Sequence, residues 1–236
     1  MDSAGPVRSF ERLAEFGPHA VDHLPGPSDT LVIAFASIGH DATRPPSPEF
    51  AGSATAGGRP ALFVTDADRS WTHAPGFAEV LEHSIATLRA RQPINRIVTV
   101  GKSMGAFAAL VAGDILNADA TLAFSPQYRI DDPHEKRWRD WTDRISPKTR
   151  PVPPLPKGWV ILCHGLQDDA IHALNFPQRD GVDHLIFPGH THSGLTAHLK
   201  SAGLLWGLVD AAAKGDRRRF IRLAVGAGGR RRQLPR

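Results

Sequence analysis

Residues 97–112 of the chain read IVTVGKSMGAFAALVA, and this stretch decides the expected fold. The run at 97–100 has the β-branched composition of a strand, and the small apolar residues after Gly105 favour a helix. Between them, Gly101 and Gly105 flank Ser103 at the spacing of a sharp strand-to-helix turn. The pattern predicts that the Ser103 hydroxyl lies exposed above a sheet edge, at the positive end of a helix. The other interpretation is a tight turn whose serine is incidental.

Further apolar runs have the length of strands, and helical patterns lie between them. The predicted strands are 31–38, 61–65, 97–101, 121–125, 159–164 and 184–187, and the predicted helices are 75–91, 103–112 and 195–213. The strand runs are continuously apolar rather than alternating, which is typical of strands buried on both faces of a parallel sheet. Alternation of strand and helix therefore predicts an α/β fold, a doubly wound, mostly parallel sheet with helices on both faces.

Residues 127–157 interrupt this rhythm. The segment is polar, basic and proline-rich, contains Trp138 and Trp141, and is too long for an ordinary connection. It is either a surface excursion or a small lid over the site. We expect one domain over residues 1–215, a size that suits one sizeable core. Residues 216–236 are expected to form a basic C-terminal tail.

Charge and cysteine content limit the class of protein. The formal net charge is +4, but much of the excess is arginine in the last 23 residues, which predicts a solvated tail in preference to a nucleic-acid or anionic-membrane contact. The single cysteine, Cys163, excludes an intramolecular disulfide and is interpreted as a small buried hydrophobe. The N-terminus lacks the apolar core of a signal peptide, and the run at 31–38 is too short to span a bilayer. We therefore expect a cytoplasmic protein without an integral membrane segment.

A serine hydroxyl needs a histidine base, and the base needs an orienting acid. After the strand at 159–164, the sequence Gly165-Leu166-Gln167-Asp168-Asp169 offers two carboxylates, of which Asp168 is preferred and Asp169 is the alternative. After the strand at 184–187, Pro188-Gly189-His190-Thr191-His192-Ser193 offers two histidines. His192 is preferred as the base, and His190 then lines the pocket.

The motifs GKSMGAFAAL, HGLQDD and PGHTHS, in this order, resemble the α/β-hydrolase superfamily over about residues 28–213. The resemblance implies a serine hydrolase with a nucleophile elbow, a small insertion after the sixth strand and a Ser-His-Asp catalytic triad. Ser103 would be acylated by a carboxylic ester, thioester or amide, with a carboxylesterase or thioesterase preferred. His192 would carry the proton, and Asp168 would hold the imidazole.

The oxyanion hole of such an enzyme uses two backbone amides. One belongs to Met104, the residue after the nucleophile. The other is expected at Ser37 or Ile38, in the loop after the strand at 31–38, although FASIGHD lacks the HGGG-type loop of many lipases and esterases.

Substrate contacts are expected at four side chains, two on the loop after the strand at 61–65 and two within the motifs. Arg69 would bind an anionic group of the substrate, and Trp71 would wall the pocket. The other two candidates are Lys102 and His190. A surface salt bridge and a packing tryptophan are the alternative interpretation of Arg69 and Trp71.

Three functions stay open at this point. The first is a serine hydrolase acting on a small-molecule acyl substrate, and the second is an acyltransferase on the same residues. The third is a hydrolase-like protein that binds or assembles without catalysis. Gly189-His190-Thr191-His192 resembles a metal motif of phosphoesterases, but the carboxylate partners of that motif are missing, so no metal and no other cofactor is predicted. No nucleic-acid partner is expected, and the sequence carries no signal for an oligomeric state.

Overall fold

The computed structural model describes residues 9–232. Within this range the chain forms nine strands: β1 Glu11–Phe16, β2 His19–Leu24, β3 Thr30–Phe35, β4 Ala61–Asp66, β5 Arg96–Lys102, β6 Ala120–Phe124, β7 Trp159–Gly165, β8 Val182–Phe187 and β9 Arg230–Arg231. The helices are α1 Ala51–Ala54, α2 Phe77–Arg91, α3 Met104–Ile115, α4 Arg139–Thr142, α5 Leu166–Ala173, α6 Gly194–Ser201, α7 Leu205–Ala213 and α8 Arg217–Gly226. A 3₁₀ turn at Ala56–Gly58 follows α1.

All nine strands join one sheet in the order β1-β2-β4-β3-β5-β6-β7-β8-β9. Strands β3 to β8 are parallel to one another, whereas β1, β2 and β9 pair antiparallel at the two sides. Parallel neighbours require a crossover, which here is usually a helix. The predicted fold class, a mostly parallel doubly wound α/β sheet, is confirmed.

The register aligns the carboxyl ends of the central strands. Gly101 near the end of β5 pairs with Phe35 at the end of β3, and Lys102 pairs with Phe124 at the end of β6. Gly165 at the end of β7 pairs with Phe187 at the end of β8. Loops that follow these strands therefore emerge along one edge of the sheet, where ligand sites of open α/β sheets form.

Helices cover both faces because neighbouring strand residues point to opposite sides. Ile97 in β5 packs into a core with residues of α2 and α3, whereas Val98 packs into a second core with residues of α7 and α8. Both side chains are buried. This explains why the predicted strands are continuously apolar.

The N-terminal hairpin was not predicted. Strands β1 and β2 carry several charged residues, and β1 is largely exposed, so they lack the apolar runs of the inner strands. Antiparallel pairing of β2 with β4 nevertheless buries Val21 in the core on the α2 side. A peripheral strand with one solvated face gives a weaker hydrophobic signal than a buried one.

The helix predicted at 195–213 is wrong as one element. It divides into α6 and α7, because Gly203 adopts a left-handed conformation with φ of 68°. The Leu204 N–H then donates to the Leu199 carbonyl, as in a glycine-terminated helix end. Leucines at helical spacing on both sides of Gly203 hid this break in the sequence.

The predicted basic tail at 216–236 is also corrected. Asp216 caps α8 by accepting the Arg219 N–H, and Phe220 of this helix is fully buried. Arg230 and Arg231 then pair with β8, so these residues belong to the domain. The predicted boundary at 215 overlooked the apolar residues between the arginines. Residues 1–8 and 233–236 of the predicted domain and tail lie outside the described residues.

The segment at 127–157 connects β6 to β7 and contains one short helix, α4. Its Ile130 and Ile145 are buried in the core on the α2 side, and Trp138 and Trp141 pack against that core. We call this segment the excursion. No helix between residues 9 and 232 has the length and apolar character needed to cross a bilayer.

Candidate active site

Ser103 lies at the turn between β5 and α3, as expected from the glycine spacing. Its backbone has φ of 54° and ψ of −126°, a strained conformation for a residue with a side chain. A Cβ atom on Gly101 would collide with the Gly105 carbonyl group, and one on Gly105 would collide with the Phe35 carbonyl oxygen. Both glycines are therefore required for the helix to pack this close to the strands.

Ser103, His192 and Asp169 form a continuous hydrogen-bonded array. Ser103 Oγ is 2.8 Å from His192 Nε2, and His192 Nδ1 is 2.8 Å from Asp169 Oδ2 and 2.9 Å from Asp169 Oδ1. A carboxylate accepts at Nδ1, so Nδ1 carries the proton and Nε2 is free to accept from the serine hydroxyl. The geometry is that of nucleophile, base and orienting acid.

Asp169 and not Asp168 faces the imidazole, so the preference for Asp168 is corrected. Both residues lie in the first turn of α5, where neighbouring side chains point in directions about 100° apart. Asp169 is fully buried, whereas the Asp168 side chain is 39% exposed and its Oδ1 accepts the backbone N–H of His192 at 2.6 Å. Asp168 thus holds the loop that carries His192, and Asp169 holds its ring.

His190, the alternative base, lies elsewhere. Its ring stacks on His198 with centroids 4.3 Å apart, and its backbone carbonyl accepts the Gln167 N–H at 3.1 Å. Burial and the neighbouring His198 lower the pKa of His190. The structure brings His192, and not His190, to the serine.

Besides His192, the cationic side chain of Arg137 contacts Asp169. Arg137, in the excursion, places Nη1 at 3.1 Å from Asp169 Oδ1 and 3.4 Å from Asp168 Oδ2. Burial by itself would raise the pKa of Asp169, but the His192 hydrogen bond and charge interactions, including the one with Arg137, outweigh it and lower that pKa. Asp169 is therefore a buried anion.

Glu135 and His172 extend this set. His172 Nε2 is 3.0 Å from Glu135 Oε2, and the Glu135 carboxylate also accepts from Arg137. Burial opposes ionisation of Glu135, but hydrogen bonds from His172 and Arg137 dominate and lower its pKa. The excursion is thus tied to α5 through buried polar contacts.

The excursion also covers the array directly. The Trp138 ring lies against the His192 ring with centroids 4.8 Å apart, and Gln127 Nε2 is 3.1 Å from Ser103 Oγ. As a result Ser103 is 7% exposed and His192 is 8% exposed. Sequence reasoning allowed the segment to be a lid over the site, but it did not single out Trp138, Arg137 or Gln127 as neighbours of the array.

The predicted oxyanion donors differ in their environments. Met104 is the first residue of α3, where backbone N–H groups lack partners within the helix. The Ser37 N–H instead faces Glu49 Oε2 at 3.4 Å, and the Ser37 hydroxyl donates to Glu49 Oε1 at 2.7 Å. A carboxylate at that amide would repel a developing oxyanion, so the geometry disfavours Ser37 as a donor. Ile38 is held by Arg69 Nε, which donates to the Ile38 carbonyl at 2.8 Å.

Three predicted substrate contacts are occupied by the protein itself. The Arg69 guanidinium is buried and donates to the backbone carbonyls of Ile38, Asp41, Arg44 and Ala67. With four donors committed in this way, Arg69 holds the loop after β3 and is corrected as a binder of an anionic substrate. Lys102 Nζ lies 3.4 Å from Glu49 Oε1 and pairs with that carboxylate. Trp71 is fully buried, and its Nε1 donates to Gln127 Oε1 at 3.2 Å.

A cavity of about 740 Å³ adjoins this region. It lies between the loop after β4 and the excursion and is lined by Asp68, Ser70, His73, Trp141, Arg144 and Ser146, among others.

In the part of the chain that the structure describes, the single cysteine and the metal-ligating residue types form no second site. Cys163 is fully buried in β7, and burial raises the pKa of its thiol, so this thiol is poorly suited to act as a nucleophile. Among residues 9–232, no group of three or more histidine, cysteine or acidic side chains is arranged to hold a metal ion.

Comparison of the sequence with protein-family models and with curated proteins gives no match. Solved structures with the same architecture do match, at low sequence identity. A capsule O-acetyltransferase of Neisseria meningitidis serogroup A superposes with a TM-score of 0.57 at 15% identity, over 85% of this chain and 95% of the other.

Two hydrolases give similar results. An esterase of Pyrococcus furiosus superposes with a TM-score of 0.58 at 14% identity, over 91% of each chain. An α/β serine hydrolase without a lid, from Xanthomonas campestris, superposes with a TM-score of 0.55 at 19% identity, over 91% of this chain and 95% of the other. Sheet order, helix placement and these superpositions agree, and the chain therefore has the α/β-hydrolase fold.

Proposed function

We propose that this protein is a serine hydrolase that cleaves a carboxylic ester or thioester through an acyl-enzyme on Ser103. The observation that carries the proposal is the array Ser103 Oγ–His192 Nε2 at 2.8 Å and His192 Nδ1–Asp169 Oδ2 at 2.8 Å. Esterases and an O-acetyltransferase among the fold neighbours support the reaction class. The fold without this array would not be enough to propose the reaction, since one fold hosts many functions.

In the proposed mechanism, His192 removes the hydroxyl proton as Ser103 Oγ attacks the carbonyl carbon. Asp169 stabilises the imidazolium that forms. The Met104 N–H binds the oxyanion, with the Ile38 amide as the second donor. The tetrahedral intermediate collapses, the C–O or C–S bond breaks, and His192 gives its proton to the leaving group. His192 then takes a proton from a water molecule as that water attacks the acyl carbon, the C–O bond to Ser103 breaks, and Ser103 Oγ regains the proton as the carboxylic acid is released.

Transfer of the acyl group to an alcohol is the second candidate. The capsule O-acetyltransferase among the fold neighbours is the observation that favours it. With a chromogenic acetate ester, released acid and acetylated alcohol can both be measured at increasing concentrations of an added alcohol. A transferase gives mainly acetylated alcohol, and a hydrolase gives mainly acid.

The test of an activated serine is intact-mass analysis after treatment with a fluorophosphonate probe. Wild type is expected to gain one adduct, and Ser103→Ala none. The matched control is Ser84→Ala, since Ser84 is a buried serine of α2 whose hydroxyl donates to the Val80 carbonyl. His192→Ala should also abolish labelling, whereas His190→Ala should not. Folded wild type that gains no adduct would contradict the proposal and favour a non-catalytic binding protein.

A further inference from the structure

Gln127 is a buried polar side chain that the proposed mechanism does not use. It follows β6 in the sequence Ser125-Pro126-Gln127, is fully buried, and contacts Ser103 Oγ through Nε2 at 3.1 Å. A buried amide has a large desolvation cost unless its donors and acceptors are satisfied. Here the partner that satisfies it is the nucleophile itself.

Trp71 fixes which end of the amide meets the serine. An indole N–H can donate but not accept, so the atom of Gln127 facing Trp71 Nε1 must be the carbonyl oxygen Oε1. The NH₂ group is then directed to Ser103. Trp71 is fully buried, with φ of 48°, and lies beside Thr72 with φ of 68°. Left-handed bulky residues are strained, and such strain persists where the surrounding structure overdetermines it.

The amide in turn restricts the serine hydroxyl. Ser103 Oγ accepts a hydrogen bond from Gln127, so its own hydrogen must point to another acceptor. That acceptor is His192 Nε2, at 2.8 Å, which is unprotonated because Asp169 holds the ring proton at Nδ1. Without the amide, the hydroxyl hydrogen would rotate among several directions. It would then point to His192 Nε2 for only part of the time.

We infer that Gln127, oriented by Trp71, is a positioning residue that directs the Ser103 hydroxyl hydrogen to His192. The inference rests on the proposed function and deepens it, because it adds two residues to the machinery that activates the serine. Both come from outside the motifs: Gln127 follows β6, and Trp71 follows β4. Trp71 acts through its hydrogen bond to Gln127.

The test measures the rate of fluorophosphonate labelling and the kcat and KM for p-nitrophenyl acetate, using the full chain. Gln127→Met keeps the length of the side chain and removes its donor, and Trp71→Phe keeps an aromatic ring and removes the indole N–H. Each variant is expected to lower the labelling rate and kcat about tenfold, the effect of one hydrogen bond, with little change in KM. The double variant should be no slower than Gln127→Met, because Trp71 works through the amide.

The matched control is Trp206→Phe, since Trp206 is an exposed tryptophan of α7 and should label at the wild-type rate. Unchanged or faster labelling in folded Gln127→Met would overturn the inference, because the amide would then be a barrier over the serine. If that variant does not fold, Trp71→Phe decides alone, and unchanged kinetics overturn the inference. Failure of the proposed function is distinguishable: wild type itself would then gain no adduct, and the inference would fall with it.

Discussion

Two regions meet at Ser103, and they differ in how they arrive there. The elbow and the loops after β7 and β8 follow directly from aligned strand ends, so the sheet register alone brings them to one edge. The excursion reaches the same place by a long irregular path with one short helix, held by Ile130 and Ile145 in the core. Strand ends supply the groups proposed to react, and the excursion supplies the groups that position and shield them.

The difference shows what fixes the position of the side chains in each region. At the elbow, a Cβ atom at residue 101 or 105 would collide with backbone atoms, so only glycine fits at these two positions. The position of the elbow therefore follows from local sterics. In the excursion, position depends on polar contacts with distant residues, such as Arg137 with Asp169. We therefore expect changes at strand ends to abolish activity and changes in the excursion to reduce it.

The largest loss of activity is expected for a variant of Asp169, and not for the same change at the neighbouring Asp168. Asp169→Asn presents an amide to His192 Nδ1 and favours the wrong tautomer, so kcat for p-nitrophenyl acetate should fall about 10⁴-fold. Asp168→Asn keeps an oxygen that can accept the His192 backbone N–H, and kcat should stay within about tenfold of wild type. Equal losses, or a larger loss at Asp168, would contradict the geometry and restore Asp168 as the orienting acid.

The second effect is a pH dependence of the folding stability, and it arises next to the start of the excursion. His164 Nε2 donates to the Pro126 carbonyl at 3.0 Å, so Nδ1 accepts from His184 Nε2 at 2.9 Å and both rings are neutral. Burial lowers the pKa of His164 from 6.5 to about 4. The unfolded chain therefore binds more protons between these values, and stability falls as pH drops from about 6.5 towards 4.

The expected size is about 3 kcal/mol over that interval. Urea unfolding at several pH values measures it, and His164→Gln should show a flatter dependence than wild type. His134→Gln changes an exposed histidine of the excursion and serves as the control. The same slope in wild type and His164→Gln would show that this histidine is not the group responsible.

The smallest effect should come from Arg137→Met. This change removes the cation that contacts Asp169 and lies 5.3 Å from the Trp138 ring, so the orienting acid and the cover over His192 both loosen. We expect kcat/KM to fall about tenfold, the size of one coupled interaction. Arg129→Met is the control, since Arg129 forms an exposed pair with Asp131. A loss as large as that of Asp169→Asn would erase the distinction between the two regions.

The comparison also explains which expectations held. The central strands, α2 and α3 were predictable because buried runs and helical periodicity are local signals. The N-terminal hairpin, the break at Gly203 and α8 were not, because each depends on what the element packs against. Asp168 and Asp169 are adjacent, and their sequence context cannot say which one turns inward from α5. That choice requires the orientation of α5 relative to the loop after β8.

What the sequence by itself determined is the elbow at Ser103, the α/β class and the order in which candidate carboxylates and then candidate histidines follow. Backbone sterics and apolar runs act over a few residues, so they are legible without the fold. What the tertiary structure decided is that Asp169 faces His192, that Arg69 binds backbone carbonyls, and that Gln127 and Trp138 cover Ser103. These contacts join residues far apart in the chain, and only packing of the sheet, helices and excursion brings their atoms together.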